Sequence, residues 1–216
     1  KPVKMVPLGA TRISFSKEDV LKHRKDIRLM YGINDDEVLI VYSGTLAKSR
    51  NCEIYLKVLS LLDQKIFKMI IIGSDVDRPN YVEELERQAK NLNISGNIFF
   101  TGRIPYQNVK RFLVASDIGI CYIPPNGNII HQPATKILEY LAAGLKVLAN
   151  FTPANHVMLS GNPNAILTEA TAHSMKNGVI ELRGKSFENV PNGIESFYWS
   201  NLVKEVLIPF YLNILR

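Results

Sequence analysis

The stretch PATKILEYLAAGLKVLAN, residues Pro133 to Asn150, contains a helix and the strand that follows it. Pro133 can open a helix because the N–H that proline lacks has no partner in the first turn, and Gly144 can close it in a left-handed conformation. The run Val147 to Ala149 is short and apolar, as expected of a buried strand. One helix leading directly into one strand is the repeating unit of an α/β sheet.

The same alternation extends over most of the chain. Six short apolar runs are typical of buried parallel strands, and they are Val38 to Tyr42, Phe67 to Ile72, Ile98 to Phe100, Ile118 to Tyr122, Val147 to Ala149 and Ala165 to Leu167. Four segments between them have helical periodicity, and they are Cys52 to Leu62, Tyr81 to Leu92, Tyr106 to Ala115 and Thr135 to Ala143. This order predicts a doubly wound, mainly parallel Rossmann-like α/β sheet with helices on both faces.

Further helices are predicted outside this alternation. Ser16-Lys-Glu-Asp19 resembles a capping box and begins a helix that ends near Gly32. A helix is also expected within Ala170 to Asn192, with Gly184 to Ser196 as a loop. The last segment, Trp199 to Leu215, is apolar on nearly every side of a helix, so it needs cover. Either protein outside this chain or a membrane surface would provide it.

The composition is that of an ordinary globular protein, with 216 residues, 46% of them hydrophobic, and a net charge of +6. The positive charge suits a phosphate-bearing ligand or an anionic membrane, although a solvated basic surface explains it equally well. No basic patch interleaved with aromatic residues occurs, so nucleic acid is not an expected partner. Cys52 and Cys121 are expected to be reduced core thiols. We expect a cytoplasmic location, with the inner face of the membrane as an alternative.

Ligands of such sheets bind beyond the carboxyl ends of the strands. The loop SGTLAKSRN, residues Ser43 to Asn51, has a single glycine and therefore lacks the dinucleotide fingerprint and the P-loop. Lys48 and Arg50 could clamp a diphosphate there, or one of them could be solvated. Asp75-Val-Asp77 in the next loop is a weak metal-binding pattern that turn and capping roles explain as well. We therefore predict no metal site.

Three polar residues share one face of the helix that begins near Pro133. Thr135 and Lys136 precede Glu139 by four and three residues, so the three side chains are neighbours. A hydroxyl and an ammonium group at a helix start suit phosphate, and a carboxylate one turn further suits vicinal ribose hydroxyls. The alternative is a surface Lys-Glu pair with a threonine cap.

The run TKILEYLAAGLKV resembles the donor-site signature of retaining glycosyltransferases of the GT-B fold, the group 1 (family 4) set. Other segments resemble that family in the same order: VKMVPLGAT, VYSGTLAKSRN, MIIIGSDVD and NIFFTGRIPYQNVKRFLVASDIGICYIPP. The similarity extends from Val3 to Asn150.

The resemblance implies roles for residues that contact the nucleotide. Glu139 corresponds to the second glutamate of the family's E-x7-E motif, which holds the ribose hydroxyls. Arg50 corresponds to the basic residue that neutralises the diphosphate, and Thr135 with Lys136 faces the distal phosphate. Arg50, Lys136 and Glu139 are therefore the expected catalytic residues.

The resemblance also implies which residues contact the base and which lie close to the phosphates. Arg103 and Ile104 correspond to the stretch whose backbone recognises the base, and Gly44 and Thr45 lie near the phosphates. Two positions depart from the family pattern. His131 stands where the first glutamate of E-x7-E would approach the sugar, so either it makes a different contact with the sugar or its loop lacks that role. Thr45 replaces the usual arginine, which removes one phosphate donor.

The resemblance also implies a domain arrangement and an activity. Residues 1–198 would form the nucleotide-sugar-binding domain, and the helix at 199–216 would cross to an N-terminal domain that this chain lacks. The expected reaction is transfer of a sugar from a nucleotide diphosphate sugar, UDP-linked, to a glycan or lipid-linked acceptor in polysaccharide biosynthesis. Retention of configuration is expected, without a metal or other cofactor, and with little activity from this chain alone. A sugar-nucleotide epimerase and a non-catalytic nucleotide-sugar-binding subunit are the alternatives.

Overall fold

The computed structural model of the protein describes residues 3–4, 6–75, 80–186 and 194–214. Its centre is one sheet of six parallel strands in the order β3-β2-β1-β4-β5-β6. The strands are β1 (Val38–Ser43), β2 (Phe67–Ile72), β3 (Ile98–Phe100), β4 (Ile118–Cys121), β5 (Lys146–Asn150) and β6 (Ala165–Thr168). The predicted six-stranded parallel sheet is confirmed, with strand ends within one residue of those expected.

Helices connect the strands and flank the sheet. They are α1 (Lys17–Met30), α2 (Glu53–Ser60), α3 (Tyr81–Asn91), α4 (Tyr106–Ala115), α5 (Thr135–Ala142), α6 (Pro153–Leu159), α7 (Ala172–Gly184), α8 (Trp199–Leu202) and α9 (Ile208–Ile214). The capping box that begins α1 is present, with Ser16 and Asp19 exchanging hydrogen bonds. Helix α6 was not predicted from the sequence, although Thr152 caps it and Pro153 occupies its first turn.

Two hydrophobic cores lie on opposite faces of the sheet. Leu56 of α2 and Leu85 of α3 belong to one core, and Ile27 of α1 and Ile137 of α5 belong to the other. Helices therefore cover both faces, as predicted. This double cover explains why the strands are continuous apolar runs instead of alternating polar and apolar residues. The cysteines Cys52 and Cys121 are both free and buried, as expected of core thiols.

The position of the functional site follows from the strand order. The chain runs from β1 outward through β2 to β3, then returns to β4 on the other side of β1. Loops that leave β1 and β4 diverge at this switch point, and a crevice opens between them at the carboxyl ends of the strands. The helix α5, which follows β4, begins at this crevice.

Helix α1 is held against the sheet by two arginines and one aspartate. Arg24 and Arg28, one turn apart, reach Asp117 at the start of β4 with N–O distances of 2.8 and 3.3 Å. The carboxylate also accepts a hydrogen bond from the backbone N–H of Leu39 in β1 at 2.7 Å. Arg28 is only 2% exposed, and it also donates to the carbonyl of Asn34 at 2.6 Å. Nη1 and Nη2 of this buried cation are therefore engaged by protein groups, whereas its Nε has no hydrogen-bond partner among the described residues.

The C-terminal segment is helical, as predicted, over the described range. A π-helical turn, Val203–Leu207, separates α8 from α9 and ends two residues before Pro209, where the missing N–H disturbs the regular ladder. Leu202 is buried, whereas a row of large side chains is half-exposed, namely Trp199, Val203, Ile208, Tyr211, Leu212 and Ile214. The predicted crossing of this helix to another domain stays a prediction, as does the boundary between residues 198 and 199. Over the part of the chain that the structure describes, no helix has the length and apolar character needed to span a membrane.

Candidate functional site

A cavity of about 350 Å³ lies at the carboxyl ends of β1 and β2, next to the start of α5. It is lined by Ser43, Gly44, Thr45, Arg50, Ile72, Gly73, Arg103, Ile104, Tyr106, Val109, Thr135, Lys136 and Glu139. Eight of the nine residues that the family resemblance suggested as ligand contacts are in this lining. The ninth is His131, which is exposed on the 3₁₀ turn Asn128–His131 and is absent from the lining. Its contact with a sugar stays a prediction.

The floor of the cavity consists of two loops in close contact. The N–H of Gly44 donates to the carbonyl of Ile72 at 2.9 Å, and the N–H of Leu46 donates to that of Ser74 at 3.0 Å. Gly44 has a φ of 147°, and a Cβ there would lie 2.8 Å from Nζ of Lys136. A Cβ at Gly73 would collide with the carbonyl oxygen of Gly44. Glycine at both positions lets the backbone form the cavity wall without a side chain that would fill it.

Lys136 is the cation at the centre of the site. Its Nζ lies 4.0 Å from the centroid of the Tyr42 ring, a cation–π contact beneath the cavity. The side chain is half-buried, whereas the helix periodicity alone predicted that Thr135, Lys136 and Glu139 share an exposed face. It packs inward because Gly44 leaves room for it. Burial lowers the pKa of Lys136, and the nearby charge of Arg50 lowers it further.

No carboxylate of the described residues lies within ion-pair distance of Lys136, although Glu139 is only three positions away. The N-cap of α5 is Ala134, which contributes no side-chain hydrogen bond. Helices α1, α6 and α7 are capped by Ser16, Thr152 and Thr171. The alternative of a Lys-Glu surface pair with a threonine cap is therefore wrong. Instead, the first turn of α5 lines the cavity through Thr135 and Lys136, and its N-cap residue provides no side-chain hydrogen bond to the first N–H groups.

Arg50 is the second cation of the cavity. It ends the 3₁₀ turn Lys48–Arg50, which Asn51 closes in the left-handed conformation with a φ of 50°. The Arg50 guanidinium forms no ion pair or hydrogen bond with a described residue. Lys48, the other clamp candidate, is outside the lining, and its Nζ lies 3.8 Å from a carboxylate oxygen of Glu84. Of the two candidates, only Arg50 faces the cavity.

Glu139 supplies the negative charge at the opposite end of the cavity. The Tyr106 hydroxyl donates a hydrogen bond to its Oε1 at 3.2 Å. Burial raises the pKa of Glu139, whereas the Tyr106 hydrogen bond and the charges of Lys136 and Lys110 oppose that rise. Tyr106 was not predicted as a site residue, because it lies 33 positions from Glu139 and only the fold brings them together.

A smaller cavity of about 200 Å³ adjoins the first. The two share Arg50, Thr135 and Lys136, and the smaller one adds side chains from β4 and the loop after it, including Tyr122 and Gln132. The two cations therefore stand between two spaces, one leading to Glu139 and the other leading to the loop that contains His131. Neither Tyr122 nor Gln132 was predicted from the sequence, because their neighbours become known only with the sheet order.

The Asp-x-Asp pattern does not form a described metal site. The carboxylate of Asp75 accepts a hydrogen bond from the backbone N–H of Tyr81 at 3.0 Å, so it supports the start of α3. Asp77 lies outside the described residues. Among the residues that are described, no group of three or more histidine, cysteine, aspartate and glutamate side chains is arranged to hold a metal ion.

Comparison with known proteins identifies relatives of this chain. Alpha-monoglucosyldiacylglycerol synthase of Streptococcus pneumoniae is 24% identical over 160 residues, 73% of this chain and 34% of the relative. An uncharacterised glycosyltransferase of Methanocaldococcus jannaschii is 24% identical over 214 residues, 94% of this chain and 51% of the relative. The chain thus spans between about a third and a half of the curated relatives it matches.

Solved structures share the fold at low sequence identity. A glycosyltransferase of Rickettsia africae superposes with a TM-score of 0.75 at 15% identity, over 94% of this chain and 53% of that one. Anabaena HepE in complex with UDP and glucose gives 0.72 at 16% identity, over 91% and 53%. The C-terminal domain of the group 1 protein LpcC of Francisella tularensis gives 0.65 at 17% identity, over 89% and 95%. The model of the family described as "Glycosyl transferases group 1" matches residues 23–184, most of the chain, and the chain therefore belongs to that glycosyltransferase family.

Proposed function

We propose that this chain binds the donor of a glycosyltransferase that transfers a sugar from UDP-sugar, with retention, to a glycan or lipid-linked acceptor. One observation carries the proposal. Lys136 and Arg50 face the same cavity without a carboxylate partner among the described residues, and Glu139 lies beyond them in that cavity. A nucleoside diphosphate has the matching pattern, two negative phosphates next to a neutral diol.

The diphosphate would lie at the start of α5. Lys136 would provide a point charge, Arg50 a planar set of donors, and the uncapped first turn of α5 its free N–H groups. The helix dipole adds to the attraction, since the N-terminal end carries partial positive charge. The depressed pKa of Lys136 fits this arrangement, because a partly buried ammonium group without a carboxylate partner among the described residues gains most from an incoming anion.

The ribose would lie one helical turn further along α5. Glu139 follows Lys136 by three residues, a rise of about 4.5 Å along the helix axis. An ionised carboxylate accepts hydrogen bonds at both oxygens and can therefore hold two neighbouring hydroxyls. The base would then reach Arg103 and Ile104 at the far end of the lining. Uracil is proposed because Anabaena HepE, which shares this fold, was solved with UDP and glucose.

The transfer step requires stabilisation of the departing diphosphate. The bond between the anomeric carbon and the phosphate oxygen breaks, and its electron pair goes to the diphosphate. Lys136, Arg50 and the start of α5 line one cavity. In the proposed binding mode that charge would develop beside them, so they would stabilise the transition state more than the ground state. Because two protein cations supply this charge, no metal is part of the proposal. The acceptor would come from a second domain, so this chain alone should bind UDP yet transfer little sugar.

The test of the ribose assignment is calorimetric titration of UDP and GDP into this chain and its Glu139→Ala variant. We expect the variant to bind UDP about ten-fold more weakly, because hydrogen bonds to a charged group are lost. Glu18→Ala is the matched control, since Glu18 is exposed on α1, far from the cavity lining. Equal UDP binding by wild type and Glu139→Ala would refute the assignment.

A non-catalytic nucleotide-sugar-binding subunit is the second candidate. It is favoured by His131, which stands where the family pattern has a carboxylate and which is absent from the main cavity lining. Incubation of the protein together with its acceptor-binding domain and a panel of nucleotide sugars distinguishes the two. Release of free UDP that depends on acceptor supports the transferase, and tight binding of the sugar nucleotide without turnover supports the binding subunit.

A further inference from the structure

Tyr106 occupies a position in the cavity that the proposed nucleotide site does not explain. It is the first residue of α4, follows the N-cap Pro105, and is 50% exposed at the cavity surface. Its hydroxyl lies 3.2 Å from Oε1 of Glu139 on α5. Nζ of Lys110, one turn along α4, lies 5.3 Å from the centroid of the Tyr106 ring. The ring therefore contacts Lys110, and its hydroxyl contacts the Glu139 carboxylate.

The direction of this hydrogen bond is fixed by the chemistry of the two groups. Burial raises the pKa of Tyr106, so the phenol keeps its proton at neutral pH. An ionised carboxylate only accepts, hence Tyr106 is the donor. No second donor to Glu139 is found among the described residues. The carboxylate has about four acceptor positions in total, so one is used by Tyr106 and the others remain open to a ligand.

We propose that Tyr106 is a positioning residue, which holds the Glu139 carboxylate in the orientation that presents its open acceptor positions to both ribose hydroxyls of a nucleotide. The inference rests on the proposed function, since it takes Glu139 as the ribose contact. A tyrosine suits this role because its rigid ring has few rotatable bonds, so it fixes the carboxylate at a small cost in side-chain entropy.

An opposite role for the same contact makes the inference testable. If the phenol occupied the acceptor positions that ribose needs, it would compete with the nucleotide and would have to leave before binding. Removing the hydroxyl would then strengthen nucleotide binding. A positioning residue gives the reverse, because an unrestrained carboxylate must be ordered by the ligand.

The experiment is titration of UDP and of 2′,3′-dideoxy-UDP into the full chain, as wild type, Tyr106→Phe, Glu139→Gln and Tyr211→Phe. We expect Tyr106→Phe to bind UDP about five-fold more weakly, with unchanged affinity for the dideoxy ligand. Tyr211 is the matched control because it is 59% exposed on α9 and outside the cavity lining. Because Tyr106 is half-exposed, the loss of its hydroxyl oxygen in Tyr106→Phe should be compatible with folding. Circular dichroism of the variant is the check.

A pH profile separates positioning from simple loss of structure. The groups around Glu139 are Tyr106 and Lys110 from α4, Lys136 from α5, and the cavity cations Arg50 and Arg103. The Tyr106 hydrogen bond lowers the Glu139 pKa, so its removal raises that pKa. As the pH is lowered, the preference for UDP over dideoxy-UDP should therefore be lost at a higher pH in Tyr106→Phe than in the wild type. Titration of the phosphates does not affect the ratio of the two affinities, because both ligands carry the same diphosphate.

The outcomes distinguish failure of this inference from failure of the proposed function. If Glu139→Gln abolishes the preference for UDP while Tyr106→Phe leaves it intact, Glu139 binds ribose and the role of Tyr106 is refuted. Tighter UDP binding by Tyr106→Phe also refutes it, in favour of competition. If Glu139→Gln retains the full preference, the ribose assignment itself fails, and the inference fails with it.

Discussion

Two pairs of cations in this molecule have opposite surroundings. Arg24 and Arg28 both contact Asp117, and Arg28 is also satisfied by backbone carbonyls. Lys136 and Arg50 lie at a cavity, and no described carboxylate pairs with either of them. Lys136 instead contacts the face of the Tyr42 ring.

We infer from this difference that the first pair stabilises the fold and that the second pair binds a ligand. A buried cation that contacts a carboxylate and backbone carbonyls is typical of a structural role, because its removal from water requires compensation. When a partly buried cation lacks such partners, burial destabilises its charged form relative to its neutral form. The pKa of Lys136 is lowered for that reason. An anion in the cavity would supply the missing compensation. The comparison therefore predicts that the first pair affects stability and the second affects binding.

The largest effect is expected from Asp117→Ala. Among the described residues, the substitution leaves Arg28 with a single carboxylate within ion-pair distance, that of the fully exposed Asp35 at 3.8 Å. Breaking a buried pair costs about 3–5 kcal/mol, and because Asp117 is 28% exposed we expect about 3 kcal/mol. Urea unfolding should show this loss of unfolding free energy. The UDP affinity should be unchanged at urea concentrations below the unfolding transition. A weakened UDP affinity in folded Asp117→Ala would contradict the division between the two pairs.

Lys136→Met should have the converse effect. Methionine keeps the unbranched apolar stem and removes the charge, so UDP binding should weaken about 100-fold, or about 2.7 kcal/mol. The free energy of unfolding should stay the same or rise, because a poorly compensated ammonium group is removed. Lys48→Met is the control, since Lys48 lies outside the cavity lining and is 60% exposed. Equal losses of UDP affinity in both variants would indicate a general charge effect.

The smallest effect concerns pH. The charged form of Lys136 binds phosphate, so UDP affinity should fall as pH rises through its depressed pKa, below the ordinary value of 10.5. Titrations of UDP between about pH 7 and 10 would show this alkaline loss. In Lys136→Arg the loss should be absent, because a guanidinium stays charged over this range. A wild-type affinity that is constant with pH would contradict a binding role for the ammonium group.

The regions of the molecule differ in how far the sequence predicts them. Strands and helices of the sheet are recognisable because their apolar patterns are local and their caps lie next to them. Helix α6 shows the limit of such reading. Its Thr152-Pro153 start is a good signal, but the helix has only seven residues and its periodicity is too short to stand out.

The sequence by itself determined the family, the parallel α/β sheet and the neighbourhood of Thr135, Lys136 and Glu139. These three are linked by helix periodicity, which depends only on spacing along the chain. The contact of Lys136 with Tyr42 was decided by the tertiary structure, because it joins α5 to β1, two elements that are distant in sequence and that only the sheet topology brings together. The same holds for Tyr106 with Glu139. Spacing shows which residues share a face, but only packing shows what that face meets, because it depends on contacts between segments distant in sequence.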